Sequence, residues 1–538
     1  MSAQTDRFVH DRLPPADQMP TLVLQAPELQ FPSQLNLVEE LLDKAPAKGW
    51  GERPMLRSSR LTLTYAQSRE RVDAIVRMLT QDLGLVPGNR VLLRGGNSIG
   101  LALAWLAVVK AGLVAVPTMP LLRARELGDI IDKAQPVVAL CELKLLEELD
   151  LARLERPVLR TVVAFNAAGD PAGQAASGSG SGHAAQVAAC PTSADDIALL
   201  AFTSGTTGKP KAAVHTHRDV LASCETWPRH VLKPVPDDIV VGSPPLAFTF
   251  GLGGLLIFTM WGGASVYFPD GPYTPEAMVR TINEIGATIC YTAPTFYRQM
   301  APFARQHGVG KLRICVSAGE GLPDATRQLW KDASGIEMTD GIGATEMFHI
   351  FISSPADTVR RGAIGKAVPG YTAKVVDDDG KEVPRGTIGK LAVIGPTGCK
   401  YMDDARQANY VKGGWNYPGD AFSQDEDGYF FFSARADDMI VTAGYNVGGP
   451  EVEDALLRHP AVAECGVIGK PDDMRGMIVK AFCVLKPGHS ADEAMVKVLQ
   501  DHVKATIAPF KYPREIEFVA ALPRTETGKL QRFRLRQG

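Results

Sequence analysis

Apolar positions along the chain fall into short unbroken runs separated by stretches of helical spacing, and that alternation predicts most of the elements. Arg90 to Arg94 and Ile197 to Phe202 read as buried strands. Leu37 to Asp43 predicts a helix rich in Leu and Glu, Leu61 to Thr64 a short strand, and Ala66 to Leu83 a longer helix. The apolar run Ile99 to Val116 is interrupted by Gly100, Lys110 and Gly112. It therefore predicts a buried helix through Val109 and a strand toward Pro117, not a membrane span. Strands and helices alternate to Val163, resume with a strand expected from Asp195, and continue through Leu312 to Ser317 as far as Gly343. Beyond Gly362, short strands separated by turns such as Asp377-Asp378-Asp379-Gly380 and Pro384-Arg385-Gly386 predict a small β-rich subdomain. The last hundred residues predict a helix (Val452 to Leu457), two strands (Cys465 to Ile468, Val479 to Leu485), a helix (Ala491 to Lys504) and a strand (Glu515 to Phe518). The expected fold is α/β: a large multi-layer N-terminal domain, residues 1–437, made of two α/β subdomains and a small β subdomain, then a smaller α+β domain, residues 438–538.

Composition narrows the partners. A chain of 538 residues is too long for one core. A net charge of −3 gives no electrostatic case for nucleic acid. Eight cysteines without a C-x-x-C pair read as reduced, mostly buried thiols in a cytoplasmic protein. The first twenty residues, with Asp6, Arg7, Asp11 and Arg12, lack the apolar run of a signal peptide, so a soluble protein without a membrane partner is expected. Ala167 to Pro191 is mostly Gly, Ala and Ser, and predicts a surface loop with nothing to bury.

The candidate chemistry centres on Thr203-Ser204-Gly205-Thr206-Thr207-Gly208-Lys209-Pro210-Lys211, directly after the Ile197 strand. Glycines let backbone N–H groups turn toward anionic oxygens, hydroxyls add donors, and lysine adds charge, so the stretch suits a polyphosphate loop. It is not the G-x-x-x-x-G-K-[ST] loop, because its glycines are three apart and Pro210 stands where the hydroxyl belongs. Four other segments stand out. These are Asp340-Gly341-Ile342-Gly343-Ala344-Thr345-Glu346, read as a glycine-rich turn; Trp415 to Asp420; Ser433 to Asp438 with Gly444-Tyr445-Asn446; and Pro523 to Lys529. Singly, Glu346 also fits a helix N-terminal acid, Asp420 a turn cap, Arg435 a surface ion pair and Lys529 a solvated lysine.

In this order and at these spacings, the segments resemble the acyl-adenylate-forming superfamily from about Leu37 onward. The chain is most similar to the benzoate-CoA ligase group and, through its N-terminal lead-in and Gly341 to Phe351, to 2-aminobenzoate-CoA ligases. The resemblance implies an acid–thiol ligase that joins a small aromatic carboxylic acid to coenzyme A, using ATP and Mg²⁺, through an aryl-adenylate. It implies that Thr203, Ser204, Gly205, Thr206, Thr207 and Lys211 cradle phosphate, that Thr345 meets the α-phosphate, and that Glu346 holds Mg²⁺. Asp420 and Arg435 are implied for ribose and phosphate, and Gly319, Glu320, Asp340, Gly341 and Gly343 for adenine. Ala247, Phe248 and His349 are implied for the acid, Gly444 and Tyr445 for coenzyme A, Asp437 as the hinge of a mobile C-terminal domain, and Lys529 as the catalytic ammonium. His215 and His217 are expected to be structural. The acid itself (2-aminobenzoate, benzoate or a hydroxybenzoate) stays open, as do monomer against homodimer and a carrier-protein thiol in place of coenzyme A. With no carrier domain after Lys529, free coenzyme A is the expected acceptor. A nucleotide sensor on the same scaffold would not need both Lys529 and Glu346.

Overall fold

Strand Arg90–Arg94 is buried along its whole length because parallel neighbours, Val114–Thr118 and Val138–Glu142, flank it on both sides. The computed structural model describes residues 1–170, 186–203, 210–435, 438–442, 445–472, 474–524 and 530–537, and of Arg435, Tyr445 and Asn446 the backbone alone. The first sheet runs in the order Thr161–Phe165, Val138–Glu142, Arg90–Arg94, Val114–Thr118, Ile197–Thr203, Lys211–Thr216, with the last pair antiparallel. Helix Ile99–Lys110 is buried at every position. Its lysine is neutralised there by Asp43 at 2.7 Å and Asp73 at 2.6 Å, which explains how an apolar helix carries a charge inside a core. Among the described residues no helix is long and apolar enough to cross a membrane.

The second sheet is parallel at its centre, from Met338–Gly343 through Ile314–Ser317, Ile289–Thr292, Ile239–Gly242 and Ser265–Tyr267 to Pro54–Arg57. Pro54–Arg57 and Thr62–Thr64 precede the first sheet in sequence, yet they edge the second. A linear reading of alternation could not assign them. The helix expected over 66–83 is Tyr65–Arg77, started by a Thr64–Gln67 capping box and continued by a π-helical turn, Met78–Asp82. The strand expected from Asp195 begins at Ile197, because Asp196 accepts from Ser193 N (3.0 Å) and holds Asp195 in a turn. Likewise the strand expected from Leu312 starts at Ile314.

A third, antiparallel sheet (Thr372–Val376, Gly389–Ile394, Asp420–Gln424, Phe430–Arg435) is the expected β subdomain. One apolar cluster runs through both large sheets and into this one. The C-terminal unit has its own sheet, in which Val462–Asp472 pairs with Gly476–Leu485 and Glu515–Phe518 adds in parallel, and its own apolar cluster. Polar contacts join it to the rest. Arg298 donates to the Ala463 carbonyl (3.2 Å), Ala325 N donates to Asp454 (2.8 Å), and Arg458 approaches Asp324 at 3.4 Å. Such a junction separates at lower cost than a shared core.

Candidate active site

The site forms where strands of both large sheets end, the usual place for a ligand in parallel α/β architecture. Strand Ile197–Thr203 ends at Thr203, directly opposite Lys211 in the antiparallel register. Ser204, Gly205, Thr206 and Thr207 lie outside the described residues. Thr203 Oγ1 is buried without a partner among the described residues. Beyond Lys211, the strand edge is covered by residues 400–402: Val214 N donates to Lys400 O (2.8 Å), and Met402 N to Ala212 O (3.0 Å). That pairing sets Tyr401 beside Lys211. Lys211 Nζ donates to Tyr401 Oη at 2.8 Å and lies 3.7 Å from Glu346 Oε1, and Tyr401 donates to the same carboxylate oxygen. Burial and the charge of Glu346 drive the Tyr401 phenol far above its ordinary pKa, so it remains a donor.

Glu346 sits in a single 3₁₀ turn, Thr345–Met347. The glycine-rich turn expected at Asp340 to Gly343 is instead the end of strand Met338–Gly343. Its glycines serve close approach: a Cβ on Gly341 would stand 2.7 Å from Ile350, and one on Gly343 2.5 Å from the His349 carbonyl. The turn is tied to the first sheet by His215, whose Nε2–H donates to Thr345 O at 2.7 Å. His217 Nδ1 accepts from Leu37 N (3.1 Å). Both histidines are buried, and each ties one backbone group of a neighbouring segment to the first sheet. Phe348 follows at φ 71°, ψ −51°, a strained conformation for a bulky side chain.

That strained residue turns His349 away from Glu346. His349 packs edge-on against Phe258 (centroids 4.6 Å), with Trp227 at 5.4 Å and Phe250 at 5.7 Å. Neither imidazole nitrogen has a well-aligned hydrogen-bond partner among the described residues; burial pushes its pKa down to about 3, with the Phe250 backbone offsetting a small part. Ala247 and Phe248 lead into the helical stretch that carries Phe250 and a π-helical segment, Leu252–Ile257. Gly253 and Gly254 bring that segment in: a Cβ on the first would meet His349 at 2.6 Å, and on the second Tyr291 at 2.5 Å. Sequence reasoning missed Trp227, Tyr291 and Tyr401; Gly254, which lets its segment close on Tyr291, was the available signal for that residue.

The remaining positions lie around this centre. Glu320, in the loop with Gly319 (φ 90°), accepts from Thr295 at 2.7 Å, and Gly321 faces the Phe432 ring of the third sheet. Asp420 is buried and pairs in register with Arg435, so the two expected ribose contacts share one strand pair. Asp340 is buried; burial raises its carboxyl to about 6, with Arg327 offsetting part of the shift. Tyr445 opens strand Tyr445–Val447. Asp437, Gly444 and Lys529 lie outside the described residues. The flanking Arg524 and Leu530 form an antiparallel bridge, and Arg524 reaches Glu320 at 3.5 Å.

Among the described residues no cluster of three acidic, histidine or cysteine side chains could hold a metal. Mg²⁺ does not require one, since it keeps several waters and takes one or two carboxylates together with substrate phosphates. Glu346, slightly exposed and with Oε2 unpartnered among the described residues, fits that demand.

Residues 44–400 match the family model described as AMP-binding enzyme, and residues 451–529 match AMP-binding enzyme C-terminal domain. The chain is 35% identical over 515 residues to a benzoate–CoA ligase of Thauera aromatica, covering 95% of this chain and 97% of that protein. It is 32% identical to a 4-hydroxybenzoate–CoA/benzoate–CoA ligase of Rhodopseudomonas palustris, covering 93% and 94%. The solved structure of the anthranilate CoA ligase AuaEII in complex with anthranoyl-AMP superposes with a TM-score of 0.87 at 34% identity, covering 95% and 98%.

Proposed function

The chain belongs to the AMP-binding enzymes, and on that premise we propose that it is an aryl-CoA ligase acting on 2-aminobenzoate. The carrying observation is the turn from Thr345 to His349. Glu346 faces Lys211, whereas His349, three residues on, faces an aromatic cage. One strained turn thus spans the phosphate end and the acid end of a single site, which brings a carboxylate against an α-phosphate. The carboxylate oxygen attacks the α-phosphorus and pyrophosphate leaves. The thiol of coenzyme A then attacks the acyl carbon, AMP leaves, and the thiol proton passes to solvent. Splitting the reaction this way turns a poor acyl donor into a mixed anhydride with a good leaving group.

In this reading Thr203 to Thr207 and Lys211 hold the β- and γ-phosphates, and Thr345 meets the α-phosphate. Glu346 holds Mg²⁺, which would screen the phosphate charge. Asp420 and Arg435 take the ribose, and the loop Gly319 to Gly321 with strand Asp340 to Gly343 encloses the adenine. Ala247, Phe248, Phe250 and His349 shape the acid site. Lys529 reaches in from a C-terminal domain of residues 438–538 that turns about Asp437, and Gly444 and Tyr445 then line the path of coenzyme A. The polar junction between the two units supports that motion.

The unpartnered imidazole of His349 supports an acid that brings its own donor, and an ortho amine does so. Its nitrogens are reached when a neighbouring ring moves aside, and Phe250 is the partly exposed member of the cage. In a pyrophosphate-release panel, 2-aminobenzoate should exceed benzoate, hydroxybenzoates and medium-chain fatty acids, with AMP release completed by free coenzyme A. His349→Ala should lower kcat/KM for 2-aminobenzoate relative to benzoate by about 5- to 100-fold, the range for one buried polar contact. A ratio unchanged by the substitution removes His349 from substrate choice. Benzoate or a hydroxybenzoate is the second reading, favoured by the names of the relatives.

A further inference from the structure

A phenol bridges the Lys211 ammonium and the Glu346 carboxylate from one side, hydrogen-bonded to both. Tyr401 donates to Glu346 Oε1 and accepts from Lys211 Nζ at 2.8 Å, and the two charged groups stay 3.7 Å apart. Little water reaches them, for their side chains are 21% and 10% exposed. At 3.7 Å they form a loose ion pair, and without the phenol that each of them bonds they would close to direct hydrogen-bond contact. Such a pair would cancel the carboxylate for an incoming cation and the ammonium for an incoming phosphate.

We propose that Tyr401 is a positioning residue for the adenylation step, a fixed hydroxyl that keeps Glu346 and Lys211 from collapsing onto each other. The carboxylate then stays open to a divalent cation, and the ammonium is released to phosphate when nucleotide arrives. This inference rests on the roles assigned to Lys211 and Glu346 above.

The phenol can act as a spacer because it is itself immobile. Tyr401 is 1% exposed, and its backbone bridges to Ala213 on the Lys211 strand. Its N–H donates to Gln407 Oε1 at 2.9 Å, and its ring stands edge-on to Tyr410, centroids 5.8 Å apart. Gln407 in turn donates to the carbonyls of Cys399 (3.0 Å) and Gln18 (2.8 Å), so the N-terminal lead-in braces the same loop. The hydroxyl cannot follow either charged group if that group moves.

Tyr401→Phe removes one oxygen and keeps the ring. ATP titrated calorimetrically into the acid-free enzyme should bind at least tenfold more weakly with Mg²⁺ present, and within twofold of the parent in EDTA. The Mg²⁺ concentration that half-saturates pyrophosphate release should rise by a similar factor. Conversion of preformed aryl-adenylate to thioester should stay within twofold. In a Glu346→Gln background the same substitution should change ATP binding less than twofold, because no charge pair remains to separate. That comparison decides the matter even if Tyr401→Phe lowers the melting temperature. Unchanged ATP binding and Mg²⁺ demand would overturn the proposal, as would equal losses with and without Mg²⁺ and in both half-reactions, the mark of a packing role. A parent enzyme that binds ATP with Mg²⁺ but activates no aromatic acid would defeat the substrate reading and leave this test intact.

Discussion

Replacing Lys529 by alanine should slow acid-dependent pyrophosphate release at least about 10²-fold, the loss typical when one preorganised transition-state donor is removed. Synthetic 2-aminobenzoyl-adenylate should still be converted to the thioester at nearly the parent rate. The asymmetry follows from where charge develops. In the first step two anionic groups must meet, and charge passes from the attacking carboxylate to the α-phosphate and the leaving pyrophosphate; an ammonium bridging carboxylate and α-phosphate lowers that barrier. In the second step the anhydride already exists, and on the proposed reading the lysine would withdraw so that a thiol can enter. Arg524 meets Glu320 at the expected adenine edge, and the chain returns at Leu530. Lys529 is five residues beyond Arg524, within about 18 Å of it along even a fully extended chain. Rapid-quench measurement of the two half-reactions checks the expectation, and equal damage to both would take Lys529 out of this role.

The elements most legible in the sequence were those whose pattern is local. Arg90–Arg94 came out at its observed bounds because a buried strand leaves an unbroken apolar run, and Glu515–Phe518 because its apolar and charged residues alternate. Lys110 correctly excluded a membrane span, but the two aspartates that make its burial tolerable come from sixty-seven and thirty-seven residues away and leave no local mark. The placement of Pro54–Arg57 on the second sheet was likewise invisible, since strand partnership depends on tertiary packing rather than order. Of the candidate site, Lys211, Glu346 and His349 are singled out by motif and resemblance, and the structure sets Lys211 beside Glu346. Asp340 to Gly343 was read as a turn because glycine serves two ends, positive φ and close approach, and sequence alone does not say which. Tyr401 was missed for a related reason. Its significance comes from a pairing with the Lys211 strand across nearly two hundred residues, and no spacing rule encodes that.

Acidification should unfold the large domain well above the pH at which most proteins of this size fail. Three histidines are held neutral inside it: burial pushes His215 and His217 down to about 4 and His349 to about 3, against an ordinary value near 6.5. Each therefore takes up a proton more readily when unfolded. The stability they contribute is complete above pH 6.5 and is lost as pH falls toward 4, at about 1.4 kcal/mol per pH unit per histidine. Asp219 near His215 and Asp196 near His217 pull the other way but do not undo the burial, and Lys400 adds to the depression at His215. Asp340, raised by burial to about 6, opposes the trend, since its folded form gains a proton first and recovers about 1.4 kcal/mol per unit between pH 6 and 4. These four groups together lose two histidines' worth, about 3 kcal/mol per unit below pH 6, a large part of the 5–15 kcal/mol that holds a typical domain together. The lowered His10 and His230 add to the loss and the raised Asp43 opposes it. The melting temperature of the large-domain transition should fall by about 5 °C between pH 7 and 5, with net proton uptake on unfolding in that window. His349→Phe should flatten the slope by about one proton, since the phenyl ring keeps the cage filled and has nothing to titrate. A melting temperature flat from pH 7 to 5 would mean that these imidazoles reach water in the native protein. The acid cage around His349 would then be open to solvent in the absence of substrate, contrary to the geometry on which its role in substrate choice depends.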